Sequence, residues 1–377
     1  MSEATRVTGG GTSRTVMIMA GGTGGHVYPA LAVAAWLRER RHEVVWLGTA
    51  AGIEARVVPA FGLPIEWVHV SGLRGKSLRT WLLAPVRISR ALVESVLAIR
   101  RRRPDVVLGM GGFVTGPGGL AARLLRVPLL IHEQNAIAGL SNRLLSRIAN
   151  QVLEAFPGSF PRDGRAVFIG NPVRTEIEQI APPEQRFADR ADPPRLLVLG
   201  GSQGARALNL TVPASIAALP AELRPRVVHQ AGQRGLDDAR EAYRKHQVDA
   251  DVVAFIEDMA AAYAQADLVI CRAGALTVAE LTTAGIGAIL VPYPHAVDDH
   301  QTHNGRALVD AGGALMIQES MLDASRLGEL LGDLLGDRER LMEMARRSRA
   351  LARPGAAAVL GDACLQAAAA ADRGGAR

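Results

Sequence analysis

Three stretches of this chain combine glycines with hydroxyl, imidazole or carboxyl groups in patterns that could do chemistry. The first is Gly21-Gly22-Thr23-Gly24-Gly25-His26, which follows an apolar run and precedes a helical stretch. Glycines let a ligand approach the backbone, and a helix N-terminus favours an anion or developing negative charge. The spacing is not the dinucleotide fingerprint, because Val27 fills the third glycine's place, and Leu47-Gly48-Thr49 stands where a nicotinamide binder carries an acid. His26 falls on the first helical turn; the alternative is a tight turn followed by a structural histidine.

The second stretch, Gly200-Gly201-Ser202-Gln203-Gly204-Ala205, again lies between strand and helix. It has no lysine in the P-loop place, so a Walker A reading fails. Its backbone amides and Ser202 could cradle a diphosphate. It also matches the G-x-S-x-G elbow of serine hydrolases, for which Asp267 and His295 could complete a triad, and a simple glycine turn with Ser202 capping the helix is a third reading. The third stretch is Arg272-Ala273-Gly274-Ala275-Leu276-Thr277-Val278-Ala279-Glu280. Thr277 and Glu280 fit a capping box. If the helix starts a residue or two earlier, both share one face near its N-terminus, and Glu280 could accept two ribose hydroxyls while the amides face phosphate.

Other candidates are weaker alone. His132-Glu133-Gln134-Asn135 ends a strand but is not H-E-x-x-H, since Ala136 fills the last place. Asp298-Asp299-His300-Gln301-Thr302-His303-Asn304 is a polar loop or helix start whose acids and histidines could hold a metal or simply face sugar or solvent. The glycine-rich run from Gly111 to Gly119 could admit a bulky substrate, and Arg100 to Arg103 suit a helix C-terminus.

Short β-rich runs alternate with helical stretches and must position these groups. Strands are expected at 16–20, 43–47, 65–70, 105–110, 128–132, 151–155 and 166–169, then at 195–200, 226–231, 251–256, 268–271, 288–292 and 314–317; helices include 30–40 and 275–284. Several strands are continuous apolar runs, as parallel strands buried on both faces require. The fold class is therefore α/β, two Rossmann-like doubly wound parallel sheets, with glycine loops from both halves facing a central cleft. The seam falls near Gly170-Asn171-Pro172-Val173-Arg174, before a polar, Pro-rich stretch.

With 377 residues, two domains are the default. A composition of 48% apolar and only 4% aromatic residues suits an Ala/Val/Leu/Ile core and argues against disorder. Two cysteines far apart in sequence, Cys271 and Cys364, point to a reducing compartment rather than a disulfide framework. A formal net charge of +6 admits nucleic acid, anionic lipid or a phosphorylated substrate as partner without choosing among them. No apolar run approaches the ~18 residues of a spanning helix, and the run from Val16 to Met19 reads as a first strand rather than a signal peptide.

Taken together, the blocks at 21–26, 111–119, 132–135, 170–174, 200–205, 255–259, 273–280 and around Gln301 resemble, in order, the bacterial UDP-N-acetylglucosamine:lipid I transferases of peptidoglycan synthesis, the MurG family with the GT-B fold. The resemblance covers residues 16 to 350. It implies inverting transfer of N-acetylglucosamine onto lipid I to give lipid II, with no cofactor, no required metal and no nucleic acid partner. It also implies a place at the cytoplasmic face of the bacterial membrane, with anionic lipid and other cell-wall synthesis proteins as partners. It assigns residues 15–172 to the acceptor and membrane side and 173–350 to the UDP-sugar, with a C-terminal helix and tail, 351–377, packing back on the first domain. At matching positions, the Ile256 backbone would read uracil and Glu280 would hold ribose. Ser202, Thr277 and the amides of Ala275 and Leu276 would face the diphosphate with Arg174 nearby, in a substrate-binding stretch that runs on through Val278 and Ala279. Asn135 and Gln301 would contact the sugar, and Thr23, Gly24 and Gly25 would border the reaction centre beside a catalytic His26. Phe113 stands where some members have Tyr, so no hydroxyl acts there; His300 stands where some have Gln; Gly305 replaces a small alkyl residue of little expected consequence.

A lipid-linked acceptor calls for a membrane-docking surface. Leu78, Trp81 and Leu82 recur at helical spacing, and Arg74, Lys76, Arg79 and Arg87 supply positive charge, which suits an interfacial anchor. An ordinary amphipathic helix packing on the core is the competing reading.

Overall fold

The computed structural model describes residues 13–70, 84–160, 164–188, 190, 193–201 and 204–375. Residues 73–83 of the expected 73–87 anchor, and Ser202 and Gln203, lie outside the described residues. Strands and helices alternate: β1 Thr15–Met19, α1 Gly24–Glu39, β2 Glu43–Gly48, α2 Glu54–Ala60, β3 Ile65–Trp67, α3 Ala84–Arg102, β4 Val106–Gly109, α4 Thr115–Leu124, β5 Leu129–Glu133, α5 Leu140–Leu145, β6 Gln151–Glu154 and β7 Val167–Phe168. The order continues with α6 Thr175–Glu178, α7 Pro183–Ala188, β8 Arg195–Leu199, α8 Arg206–Ala217, β9 Arg226–Gln230, α9 Leu236–Lys245, β10 Asp251–Val253, α10 Met259–Gln265, β11 Leu268–Cys271 and α11 Ala275–Ala284. It ends with β12 Gly287–Leu290, α12 His300–Asp310, β13 Ala314–Met316, α13 Ala324–Leu335, α14 Arg338–Ala350 and α15 Ala356–Gly375.

The strands form two sheets, of order β3-β2-β1-β4-β5-β6-β7 and β10-β9-β8-β11-β12-β13. Every pairing in the second sheet is parallel. The chain divides into two compact units. One takes in the described parts of Met1–His132, Leu140–Leu153 and Ala358–Arg377; the other takes in those of Glu133–Gly139 and Glu154–Ala357.

In the second unit the period of the strands sorts their side chains into two cores. Leu196, Val198, Leu268, Ile270 and Ile289 pack on one face, while Leu197, Leu199, Val269, Cys271, Ala288 and Leu290 pack on the other. Burial on both faces is why these strands read as unbroken apolar runs. The sheet order reverses between β8 and β11, and in the first unit between β1 and β4. At such switch points neighbouring loops leave the carboxyl ends of adjacent strands in opposite directions and open a place for ligands. The glycine loop at 200–205 follows β8 and the segment Arg272-Ala273-Gly274 follows β11; the loop at 21–23 follows β1 and Gly111-Gly112 follows β4. In the first unit α15 closes on α1, where a side chain at Gly361 would strike the Trp36 ring at 2.3 Å.

Candidate functional site

In the second unit the site is built around the start of α11. Its N-cap is Gly274, with extended backbone and no side-chain cap. Thr277 is therefore the third helical residue, so the capping box does not form. Val278 N–H bonds the Gly274 carbonyl at 2.9 Å, so the amides of Ala275, Leu276 and Thr277 are the ones that precede the helix's own bonding. They carry the positive end of the helix dipole. Val278 and Ala279 pack into the core beneath.

Glu280 lies one turn along, buried. Arg174 Nη2 donates to its Oε1 at 3.2 Å, and the Tyr263 hydroxyl donates to its Oε2 at 3.0 Å. Burial raises the pKa of this carboxyl, and Arg174 and Tyr263 pull it back down. The sequence placed Arg174 near the diphosphate; in this structure it is paired with Glu280. Tyr263, on α10 and without solvent exposure, was not singled out by the sequence. Its only signal is an aromatic among alanines on a short helix.

The loop Gln134-Asn135-Ala136 is tied to the same place. Asn171 Nδ2 donates to the carbonyls of Gln134 (3.0 Å) and Ala275 (3.4 Å). Asn304 of α12 is fully buried; its Oδ1 accepts from Ala136 N–H at 2.8 Å, and its Nδ2 donates to Asn135 Oδ1 at 3.3 Å and to the Ala273 carbonyl at 3.4 Å. Glu133 holds the loop from below, accepting from the Asn135 amide at 2.9 Å and from Gly139 N–H at 3.1 Å. Asn135, Gln301 on the first turn of α12, and the α11 amides are thus gathered in one unit. Gln301 Oε1 accepts from Tyr293 N–H at 2.9 Å. Ile256 lies beyond the end of β10, which stops at Val253 rather than running to 256, so its backbone sits in a loop and its side chain packs on the core.

The 200–205 loop needs its glycines for space. A Cβ at Gly204 would lie 2.5 Å from the Ala231 carbonyl oxygen, and one at Gly200 would lie 2.9 Å from that of Gln230. Gly201 and Gly204 have φ of 77° and 79°, open to glycine at little cost.

In the first unit Thr23 is the N-cap of α1, and its carbonyl accepts from the amides of His26 and Val27, both at 3.2 Å. Thr23 and Gly25 are exposed and His26 is half-buried on the first turn. Gly111 and Gly112 have φ of 93° and 87°, and a Cβ on Gly112 would fall 2.3 Å from the Gly21 carbonyl oxygen. The glycine run therefore fits loop against loop. Farther along, a Cβ at Gly118 would strike Met19 Sδ and one at Gly119 would strike Leu145, so these two glycines serve close helix packing rather than room for substrate.

Models of the glycosyltransferase family 28 N-terminal domain and C-terminal domain match residues 16–154 and 195–360. The chain belongs to glycosyltransferase family 28. Among its relatives is a UDP-N-acetylglucosamine–N-acetylmuramyl-(pentapeptide) pyrophosphoryl-undecaprenol N-acetylglucosamine transferase of Nitrosococcus oceani, 56% identical over 351 residues, covering 93% of this chain and 98% of the relative. The transferase of the same description from Alkalilimnicola ehrlichii is 57% identical over 351 residues, covering 93% and 98%. The crystal structure of Acinetobacter baumannii MurG matches with a TM-score of 0.80 at 40% identity, covering 94% of this chain and 99% of that one.

A hydrolase triad does not fit this family 28 enzyme. Asp267 sits at the amino end of β11, where it accepts from Arg195 N–H at 2.8 Å and pairs with Arg190. The 200–205 loop leaves the opposite, carboxyl end of the adjacent β8. His295 is exposed after β12, edge-on to Tyr293. Among the described residues no group of three or more His, Cys, Asp and Glu side chains could hold a metal ion, the 298–304 segment included. Phe113 is exposed. Gly305 matters more than its size suggests, because Met316 and Leu290 fill the space of a side chain there, at 2.7 and 2.8 Å from an added Cβ.

Proposed function

We propose that the enzyme moves N-acetylglucosamine from UDP-N-acetylglucosamine to undecaprenyl-diphosphate-N-acetylmuramoyl-pentapeptide, lipid I, with inversion, giving lipid II. The observation that carries the donor half is the start of α11, with uncapped amides one turn ahead of a buried Glu280. The relatives' activity supports the identity of both substrates.

In this reading the Ile256 backbone meets the uracil edge, and Glu280 keeps its Tyr263 bond while exchanging Arg174 for ribose hydroxyls. The amides of Ala275, Leu276 and Thr277, with Ser202 and Arg174, receive the diphosphate. Asn135 and Gln301 hold the sugar. The acceptor hydroxyl attacks the anomeric carbon while the bond to the diphosphate oxygen breaks. Its electron pair goes to UDP, whose growing charge the helix-terminal amides and Arg174 stabilise. His26 takes the hydroxyl proton or orients the acceptor, and Thr23, Gly24 and Gly25 border that group. Apart from Asn135, residues 15–172 serve acceptor and membrane, and residues 173–350 serve the donor.

Among the described residues no helix is long and apolar enough to cross a membrane. We place the enzyme peripherally at the cytoplasmic face. Leu120 and Leu124 of α4 and Leu140 and Leu144 of α5 are exposed as pairs one turn apart, on helices that pack together. Arg123, Arg143 and Arg147 are exposed beside them in sequence. Apolar and basic groups together suit an anionic lipid surface.

Radiolabelled UDP-N-acetylglucosamine, incubated with and without lipid I, tests the reaction. Label should enter the lipid phase only with acceptor present. Donor turnover without acceptor would point instead to an epimerase, and binding without turnover to a nucleotide-sugar binding protein.

A further inference from the structure

We infer that Glu54 is a positioning residue for the reaction, setting the peptide geometry of the 21–26 loop and through it the place of His26. The inference rests on the proposed role of that loop. Glu54 is the first residue of α2, where an acid ordinarily faces solvent and complements the helix dipole. Here it has no exposure at all. A buried carboxyl is costly unless hydrogen-bonded, and this one is met by neutral donors. Gly22 N–H donates to Oε2 at 2.9 Å, and Thr49 N–H and Oγ1 donate to Oε1 at 3.0 and 2.6 Å.

Three glycines make room for it. A Cβ at Gly52 would fall 2.0 Å from Oε2, one at Gly21 2.5 Å from Oε1, and one at Gly48 3.0 Å from Cγ. Glycines from three places in the chain surround one side chain, more than a helix cap requires. Gly22 differs: a Cβ there would meet nothing within 4 Å, so its φ of 93° reflects backbone direction rather than crowding. The bond from its N–H to Glu54 fixes that peptide. The next residue, Thr23, presents the carbonyl that the His26 amide bonds. A line of bonded groups thus runs from Glu54 through Gly22 and Thr23 to His26, while Gly112 confines the loop from the other side. The acid that nicotinamide binders place at the end of the second strand is absent here; six residues past that strand's end an acid turns inward to the chain's own loop.

The test uses the full-length protein, with Glu54→Gln, Thr49→Val and His26→Ala. A glutamine keeps the shape but turns an N–H2 toward either Gly22 or Thr49. Glu54→Gln should lower kcat by roughly 10–100-fold through misplacement of the loop. Its donor KM and UDP affinity, governed by the second unit, should stay within about twofold, since mutations at sites without shared partners act independently. Thr49→Val removes one bond to Glu54 but leaves the Gly22 bond, so it should cost stability and spare kcat. Hydrogen exchange over 21–27 should show a protected Gly22 amide in the parent and faster exchange in Glu54→Gln. Parental kcat in folded Glu54→Gln overturns the inference, as does equal loss of kcat in Thr49→Val. If Glu54→Gln does not fold, an unprotected Gly22 amide in the parent overturns it and a protected one supports it. His26→Ala separates the two claims: parental turnover there defeats the loop's proposed role, whereas lost turnover there beside a normal Glu54→Gln defeats only the claim for Glu54.

Discussion

Replacing Tyr263 with Phe deletes one hydroxyl that cannot touch a ligand, because Tyr263 has no solvent exposure. Whatever happens to donor binding must then pass through Glu280, whose Oε2 the hydroxyl bonds at 3.0 Å. A hydrogen bond of this kind contributes about 0.5–1.5 kcal/mol net, so UDP affinity should fall roughly 2–12-fold. Glu280→Ala removes the acceptor itself and should cost about 1.5–3 kcal/mol, roughly 10–150-fold in Kd. The pH dependence gives a second readout. Burial raises the Glu280 pKa, so between the unfolded and folded values the native state holds a proton that the unfolded chain has released. The stability tied to Glu280 is present below the ordinary carboxyl range and is lost as pH rises through the raised value. Donor affinity should climb over the same window, since ribose hydroxyls need the carboxylate as acceptor. Tyr263 helps pull that pKa down, so Tyr263→Phe should move both curves to higher pH. Calorimetric titration of UDP across the acid-to-neutral range measures this. Parental affinity in folded Glu280→Ala, or an unmoved pH curve in Tyr263→Phe, would refute the ribose assignment.

His26→Ala should lower turnover with lipid acceptor by about 10²–10⁴-fold while leaving UDP affinity near parental, as expected for loss of a general base; near-normal turnover would make His26 structural. Burial pushes His229 down to about 4 from 6.5, between Tyr243 OH and Asn209 Oδ1. Its stability contribution is full above the unfolded value and lost as pH falls through the folded one, so denaturant midpoints should drop between about pH 6.5 and 4, and His229→Gln should flatten that slope. Leu140→Ser with Leu144→Ser, and separately Arg79→Glu with Arg87→Glu, should reduce flotation with anionic liposomes, each basic residue near the surface adding about 1 kcal/mol; folded variants that float as the parent does would exclude these surfaces.

What the sequence made legible and what it hid divide along a physical line. Strands such as Leu268–Cys271 stood out because both their faces are buried, and the helix Ala275–Ala284 because strand, glycine and apolar run followed in order. These are local properties. Glu54, Tyr263 and Asn304 depend on convergence, and their local signals do not show what they hold in place. Glu54 reads as a solvent-facing acid at a helix start, Tyr263 as core, and Asn304 as one more polar residue in a run of them. Only the folded chain brings Gly22 to a carboxyl 32 residues later, or Asn135 to an amide 169 residues later. The loops that carry the proposed chemistry are glycine-rich, so their own sequences do not fix their shape. They must borrow it from buried side chains elsewhere in the chain. That is why the residues that sequence could propose lie on the loops, while the residues that hold those loops in place had to await the fold.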